Sequence, residues 1–121
     1  MDPCLEASNF PQALRIRRSS DFRRIRQNGR KIFTPHFLLF VTPGSSHQSR
    51  LGLTVSRKIG GAVVRNKVKR RVREFFRTRR FLFLTVIDLS VIARAPFVEL
   101  SQSQLEQEIL AALGPYVRAG K

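Results

Sequence analysis

The stretch RLGLTVSRKIGGAVVRNKVKRRVREFFR, residues 50–77, decides how this chain folds. Leu51, Leu53 and Val55 alternate with Gly52, Thr54 and Ser56, the period of two that a strand shows when one face is buried. Gly60-Gly61 breaks the extended run, and the period then changes. Wound at about 100° per residue, Val64, Val68, Val72, Phe75 and Phe76 fall in one apolar stripe, which predicts a helix from Ala62 to about Arg80. Asn66, Lys69, Arg70, Arg73 and Arg77 gather on the far side, and Arg65, Lys67 and Arg71 flank the stripe. Such a helix buries one side and raises a positive ridge on the other. Its N-terminus offers unpaired amides and the positive end of the dipole, both suited to phosphate, with Arg57 and Lys58 just upstream. Gly60-Gly61 lacks the glycine spacing and the lysine of a nucleotide-binding loop.

Upstream, Ser19 or Ser20 can cap a short helix running to about Gln27, closed by Asn28-Gly29. His36 to Thr42 (HFLLFVT) reads as a strand, followed by a turn at Pro43-Gly44-Ser45-Ser46. A second strand over 51–56 is then expected to run antiparallel to the first. Downstream, Val86 to Arg94 reads as another strand, halted by Pro96. Ser101 and Ser103 are alternative N-caps for a final helix to about Leu113, before Gly114-Pro115. With no repeats and no long linker, the chain divides into an N-terminal segment, 1-13, that could be disordered, one domain over 14-113, and a tail, 114-121. Its class is α+β.

Strand alternation separates two sheet faces. Phe37, Leu39, Val41, Leu51, Leu53, Val55, Ile87, Leu89, Val91 and Ala93 are uniformly apolar and form the core face. Leu38, Phe40, Thr42, Gly52, Thr54, Ser56, Asp88, Ser90, Ile92 and Arg94 form a mixed second face. Phe40 on that face is either a base-stacking platform or packed beneath the first helix against Phe22.

Charge narrows the function. The 121 residues carry 23 Lys+Arg against 8 Asp+Glu, a net charge of +15, while 42% of residues are apolar. A folded globule with that much like charge requires a polyanion. Counted along the chain, 18 of the cations are Arg, whose forked guanidinium favours phosphates and bases. Eight cations lie between Arg15 and Lys31 and eleven between Arg57 and Arg80, with only Asp21 and Glu74 interspersed. The lone Cys4 excludes an intramolecular disulfide and fits a cytoplasmic setting. No apolar run reaches the roughly 20 residues of a membrane helix. A lipid-surface role would need the apolar stripe that the strands require.

Catalytic groups do not converge. His36 and His47 have no carboxylate near in sequence, Cys4 has no evident base, and Glu106 and Glu108 point in different directions on one helix. No set of carboxylates suits a protein-borne metal nuclease.

Residues 50–77 closely resemble the signature of the bacterial ribonuclease P protein family: a strand ending Ser-basic-basic, a glycine turn, then an Arg-Asn-basic helix continuing Lys-Arg-x-x-Arg-Glu. Ser20-Asp21-Phe22 resembles the opening of the family's first helix, and Ile87-Asp88 through Ala93-Arg94 its last strand, so the likeness spans about 14–113. It implies a single-domain α-β sandwich of order α-β-β-β-α-β-α with an unusual left-handed β-α-β crossover, where handedness rules alone predict a right-handed one. It implies that Arg65, Asn66, Lys67, Lys69, Arg70 and Arg73 face a catalytic RNA. It further implies a cleft for the single-stranded 5′ leader of precursor tRNA, with Phe22, Arg26, Phe37 and Phe40 in it and Arg57 and Lys58 at its basic edge. Lys67 stands where the family motif usually has Arg, and Arg26 where an aromatic is frequent.

The implied activity is endonucleolytic removal of the leader, as an auxiliary endoribonuclease subunit whose RNA partner performs the chemistry. Magnesium is expected mainly on RNA phosphates, with no cofactor on the protein alone, no membrane and no protein partner. The alternative from composition alone is a generic RNA-binding or ribosome-associated protein.

Overall fold

The computed structural model describes residues 14–94 and 100–117; the readings placed on 1–13, Pro96 and 118–121 lie outside these residues. The elements are α1 (Ser19–Asn28), β1 (Arg30–Phe33), β2 (Phe37–Pro43), β3 (Arg50–Thr54), α2 (Ala62–Arg79), β4 (Ile87–Ala93) and α3 (Gln102–Ala112). This is the expected α-β-β-β-α-β-α order. No described helix is long and apolar enough to cross a membrane.

The four strands lie in the order β1-β2-β4-β3. The strands over 36–42 and 51–56 run antiparallel as expected, but they are not neighbours. β4 enters between them, antiparallel to β2 (Phe40 opposite Ser90) and parallel to β3 (Gly52 opposite Ser90). The physical reason is burial: β4 is covered on both faces along nearly its whole length, and such a strand belongs in the middle of a sheet. β1, RKIF, is an edge strand that sequence patterning missed. Its ends are charged or exposed, and only Ile32 packs against the core cluster. The opposite edge, β3, is shielded by residues 14–16: Ile16 N–H donates to the Leu51 carbonyl at 2.9 Å, and Arg15 bridges Leu51.

Two apolar clusters flank the sheet. On one face Phe37, Leu39, Val41, Leu51, Leu89 and Val91 meet Val68, Val72, Phe75 and Phe76 of α2 and Leu105 and Ile109 of α3. On the other, Ile25 of α1 packs with Ile16 and Phe40, with Phe22, Leu38 and Ile92 at its margin. The predicted alternation of faces holds. Ser101 caps α3 with a reciprocal Gln104 contact, a full capping box. Neither Ser19 nor Ser20 caps α1, because the helix already begins at Ser19 and Arg18 is the capping residue. Residues 114–117, expected as tail, pack back: Leu84 N–H donates to the Tyr116 carbonyl at 2.9 Å and Val117 bridges Phe83.

Candidate nucleic-acid interface

The central helix starts from a turn that only glycine accommodates. Gly60 has φ of 154°, a region closed to most L side chains, and Arg65 Nε donates to its carbonyl at 3.1 Å. From there the cations of α2 divide. Toward the C-terminal end they are engaged within the protein: Arg77 pairs with Glu74 at 2.7 Å and Arg79 with Glu106 at 3.0 Å. Arg71 donates to the Leu100 carbonyl. Toward the N-terminal end, no ion pair with a described carboxylate joins Arg65, Lys69, Arg70 or Arg73. Asn66 and Arg70 are exposed, while Arg65, Lys67, Lys69 and Arg73 are half-buried.

Arg73 departs from its expected place on the far side of the helix. It lines a hollow of about 160 Å³ with Arg15, Ile16, Arg17, Leu51 and Leu53, beside the edge of β3. Burial there, and then the neighbouring Arg15 charge, lower its pKa from the ordinary arginine value. Arg15 and Arg17 were not singled out by sequence reasoning, although both lie in the first basic block. The signal was their charge; their distance of nearly sixty residues from Arg73 concealed the cluster.

A larger groove of about 580 Å³ runs between α1 and the end of β3, lined by Ser19, Phe22, Arg23, Arg26, Gln27, Leu53 and Thr54. It shares Leu53 with the smaller hollow, so groove and central helix are joined by one basic margin. Phe22 reaches β3 because residue 52 is glycine: a Cβ there would lie 2.5 Å from the Phe22 ring. Arg57 and Lys58, both exposed, occupy the turn directly after β3. Phe22 and Arg26 therefore share the groove, whereas Arg57 and Lys58 are not among its lining residues.

Two cleft residues need correction. Phe37 is 0% exposed and sits on the opposite, core-facing side of the sheet, so it cannot line the groove. Phe40 is on the α1 side but only 7% exposed, enclosed by Ile16 and Ile25. Of the two readings open for Phe40, packing beneath α1 is the one that the structure supports.

The floor under α1 is held by a buried ionic cluster. Asp88, 0% exposed on β4, accepts from Arg24 of α1 at 2.7 Å and from Arg50 of β3 at 2.9 and 3.1 Å. Burial alone would raise the Asp88 pKa, but the hydrogen bonds and charges of Arg50 and Arg24 outweigh it and hold the carboxyl below the ordinary range. The Arg50 pKa is raised chiefly by the same hydrogen bond to Asp88. Asp21 lies 3.6 Å from Arg50.

A second carboxylate, Glu108 of α3, accepts from the Thr34 hydroxyl at 2.6 Å and the His36 amide at 2.8 Å, and meets His36 Nδ1 at 2.8 Å. Burial pushes its pKa up, and these contacts more than reverse it. Glu74, Glu106, Glu108, Asp21 and Asp88 are therefore all committed to protein cations or hydrogen bonds. Among the described residues no three His, Cys, Asp or Glu side chains converge.

Residues 10–117 match the family model described as Ribonuclease P. The chain is 38% identical over 110 residues to the "Ribonuclease P protein component" of Citrifermentans bemidjiense, covering 91% of this chain and 94% of that one. It is 40% identical over 108 residues to the protein of the same name from Desulfovibrio desulfuricans, covering 86% and 83%. Among solved structures, the RNase P protein of Staphylococcus aureus superposes with a TM-score of 0.77 at 32% identity, covering 86% of this chain and 95% of that one. The RNase P protein from Thermotoga maritima gives 0.75 at 30% identity, covering 86% and 98%.

Proposed function

The chain belongs to the ribonuclease P protein family, and from that premise we propose how it serves as the protein component of a tRNA-processing endoribonuclease. Its α2 ridge binds the catalytic RNA, and the groove beside α1 receives the single-stranded 5′ leader of precursor tRNA. The hydrolysis belongs to the RNA subunit, with magnesium held mainly by RNA phosphates. The protein contributes charge neutralisation and positioning.

One observation carries this reading. Arg65, Lys69, Arg70 and Arg73 of α2 have no carboxylate partner among the described residues, whereas Arg77 and Arg79 are paired within the protein. Arg65, Lys69, Arg70 and Arg73 keep their charge available, and Asn66 adds a side-chain amide that can donate and accept. Arg23 and Arg26 do the same for the groove, where the Phe22 face offers a stacking surface. If about six phosphates are contacted, affinity falls by roughly three decades between 50 and 200 mM salt.

The test adds the protein to a bacterial catalytic RNA and precursor tRNA at low magnesium. Rescue of 5′ cleavage supports the reading. Binding without rescue indicates a generic RNA-binding module, and cleavage without added RNA an enzyme acting alone. Replacing Arg65, Lys69 and Arg73 together by Ala is expected to weaken catalytic-RNA affinity about a hundredfold and to reduce the salt slope by about three. Unchanged affinity in that folded variant would count against the assignment.

A further inference from the structure

The sheet face beneath α1 is not uniformly covered, and its uncovered end forms a single cross-strand row. Phe33 of β1 pairs with Leu38 of β2, Leu38 with Ile92 of β4, and Ile92 with Thr54 of β3. In the adjacent row Phe40, Ser90 and Gly52 are buried, and only Lys31 at its β1 end is exposed. In the open row Leu38, Ile92 and Thr54 are half-exposed, and Phe33 is 61% exposed. Thr54 is itself a wall of the groove that holds Phe22 and Arg26. The row therefore leads from that groove across three inter-strand spacings, about 14 Å, to Phe33.

Phe33 does not stand alone at the far end. The Lys31 ammonium lies 5.3 Å from its ring centre and the Arg94 guanidinium carbon 5.4 Å. Arg94 is held there by donating to the Thr34 carbonyl at 2.6 Å. An isolated exposed aromatic needs no explanation. A largely exposed ring with two cations beside it, one of them pinned, at the end of a shallow apolar track, offers stacking area for a base and charges for the neighbouring phosphates.

We infer that Phe33, Lys31 and Arg94 form a second stacking station for single-stranded RNA, which takes a leader nucleotide farther from the cleavage point than the one at Phe22. This rests on the leader-binding reading above and extends it. The station recognises an unpaired base by its π-face, so it discriminates by leader length more than by sequence. Leaders long enough to cross the Leu38–Ile92 floor gain an additional anchor; shorter ones do not.

The experiment uses the reconstituted holoenzyme and precursor tRNAs carrying one 2-aminopurine, moved stepwise along the leader. One position distal to the Phe22 site is expected to be quenched on binding, to lose that quenching in Phe33→Ala and to retain it in Phe33→Tyr. Affinity for long-leader substrate is expected to fall about five- to tenfold in Phe33→Ala, with no change for a leader of one or two nucleotides. An abasic nucleotide at the quenched position should cost about the same, and the two losses should not add. The station is excluded if Phe33→Ala leaves every leader position as in the wild type while Phe22→Ala still alters a proximal one. An equal loss on short-leader substrate also excludes it, since the ring would then serve the catalytic RNA or the fold. If Phe22→Ala and Arg26→Ala likewise leave all leader signals unchanged, the leader groove itself fails, and the station with it.

Discussion

The two ends of the outer sheet face are made from the same strands and serve opposite purposes. At one end, Phe40, Ser90, Gly52 and Asp88 are buried beneath α1, and Arg24 and Arg50 are drawn inward onto a carboxylate. At the other, Phe33, Leu38, Ile92 and Thr54 remain open, and Lys31 and Arg94 stand beside an exposed ring. The difference is where α1 crosses. Cations near a buried acid become structural, while cations near an uncovered aromatic remain available to a polyanion. Local composition does not separate the two, since arginine and phenylalanine occur at both ends.

The largest expected effect separates the ends by stability. Phe40→Ala removes a buried ring and is expected to cost about 3–4 kcal/mol in urea or thermal unfolding, with no dependence of RNA affinity on leader length. A stable variant with a leader-length-dependent defect would move Phe40 to the open end.

Next comes the ionic floor. Asp88→Asn leaves two guanidiniums over a neutral group and is expected to cost about 2–3 kcal/mol, toward the low end for a broken buried pair because both arginines reach solvent. Its pH dependence has a definite sign. The folded carboxyl titrates below its unfolded value, so its contribution is fully present above the unfolded pKa, about 3.9, and is lost as pH falls through the lower folded value. Wild-type stability should therefore fall more steeply on acidification than that of Asp88→Asn; parallel curves would remove Asp88 from the account.

A smaller effect tests the boundary between the ends. Gly52→Ala places a methyl against the Phe22 ring and is expected to cost about 1–3 kcal/mol. Combining it with Phe22→Ala should cost less than the sum of the two single changes. Simple additivity would show that the ring does not rest on residue 52. The smallest effect belongs to the open row: Ile92→Thr, half-exposed, is expected to change stability by less than about 1 kcal/mol.

Much of the fold could be read along the chain. The period change at Gly60-Gly61 placed β3 and α2 within a residue or two, because a glycine with positive φ separates a strand from an amphipathic helix. The start of α3 was legible to within two residues, since Ser101 and Ser103 were both candidate caps and the structure uses Ser101. β1 escaped because four residues with one half-buried apolar side chain carry almost no periodic signal. The candidate interface was visible as charge but not as geometry. Arg65 to Arg73 were recognisable from helical spacing, yet the place of Arg73 beside Arg15, the enclosure of Phe40 and the exposure of Phe33 were not.

What the sequence determined by itself was the α+β class, the apolar face of each strand, the positive ridge of α2 and the need for a polyanionic partner. Each depends on residues within one element, where spacing and charge act locally. The tertiary structure alone decided that β4 enters between β2 and β3, which cations meet a carboxylate, and which end of the sheet α1 leaves open. Those outcomes depend on contacts between residues far apart in sequence, such as Arg24 and Asp88, sixty-four positions apart. Burial there chooses among pairings that the linear pattern permits equally.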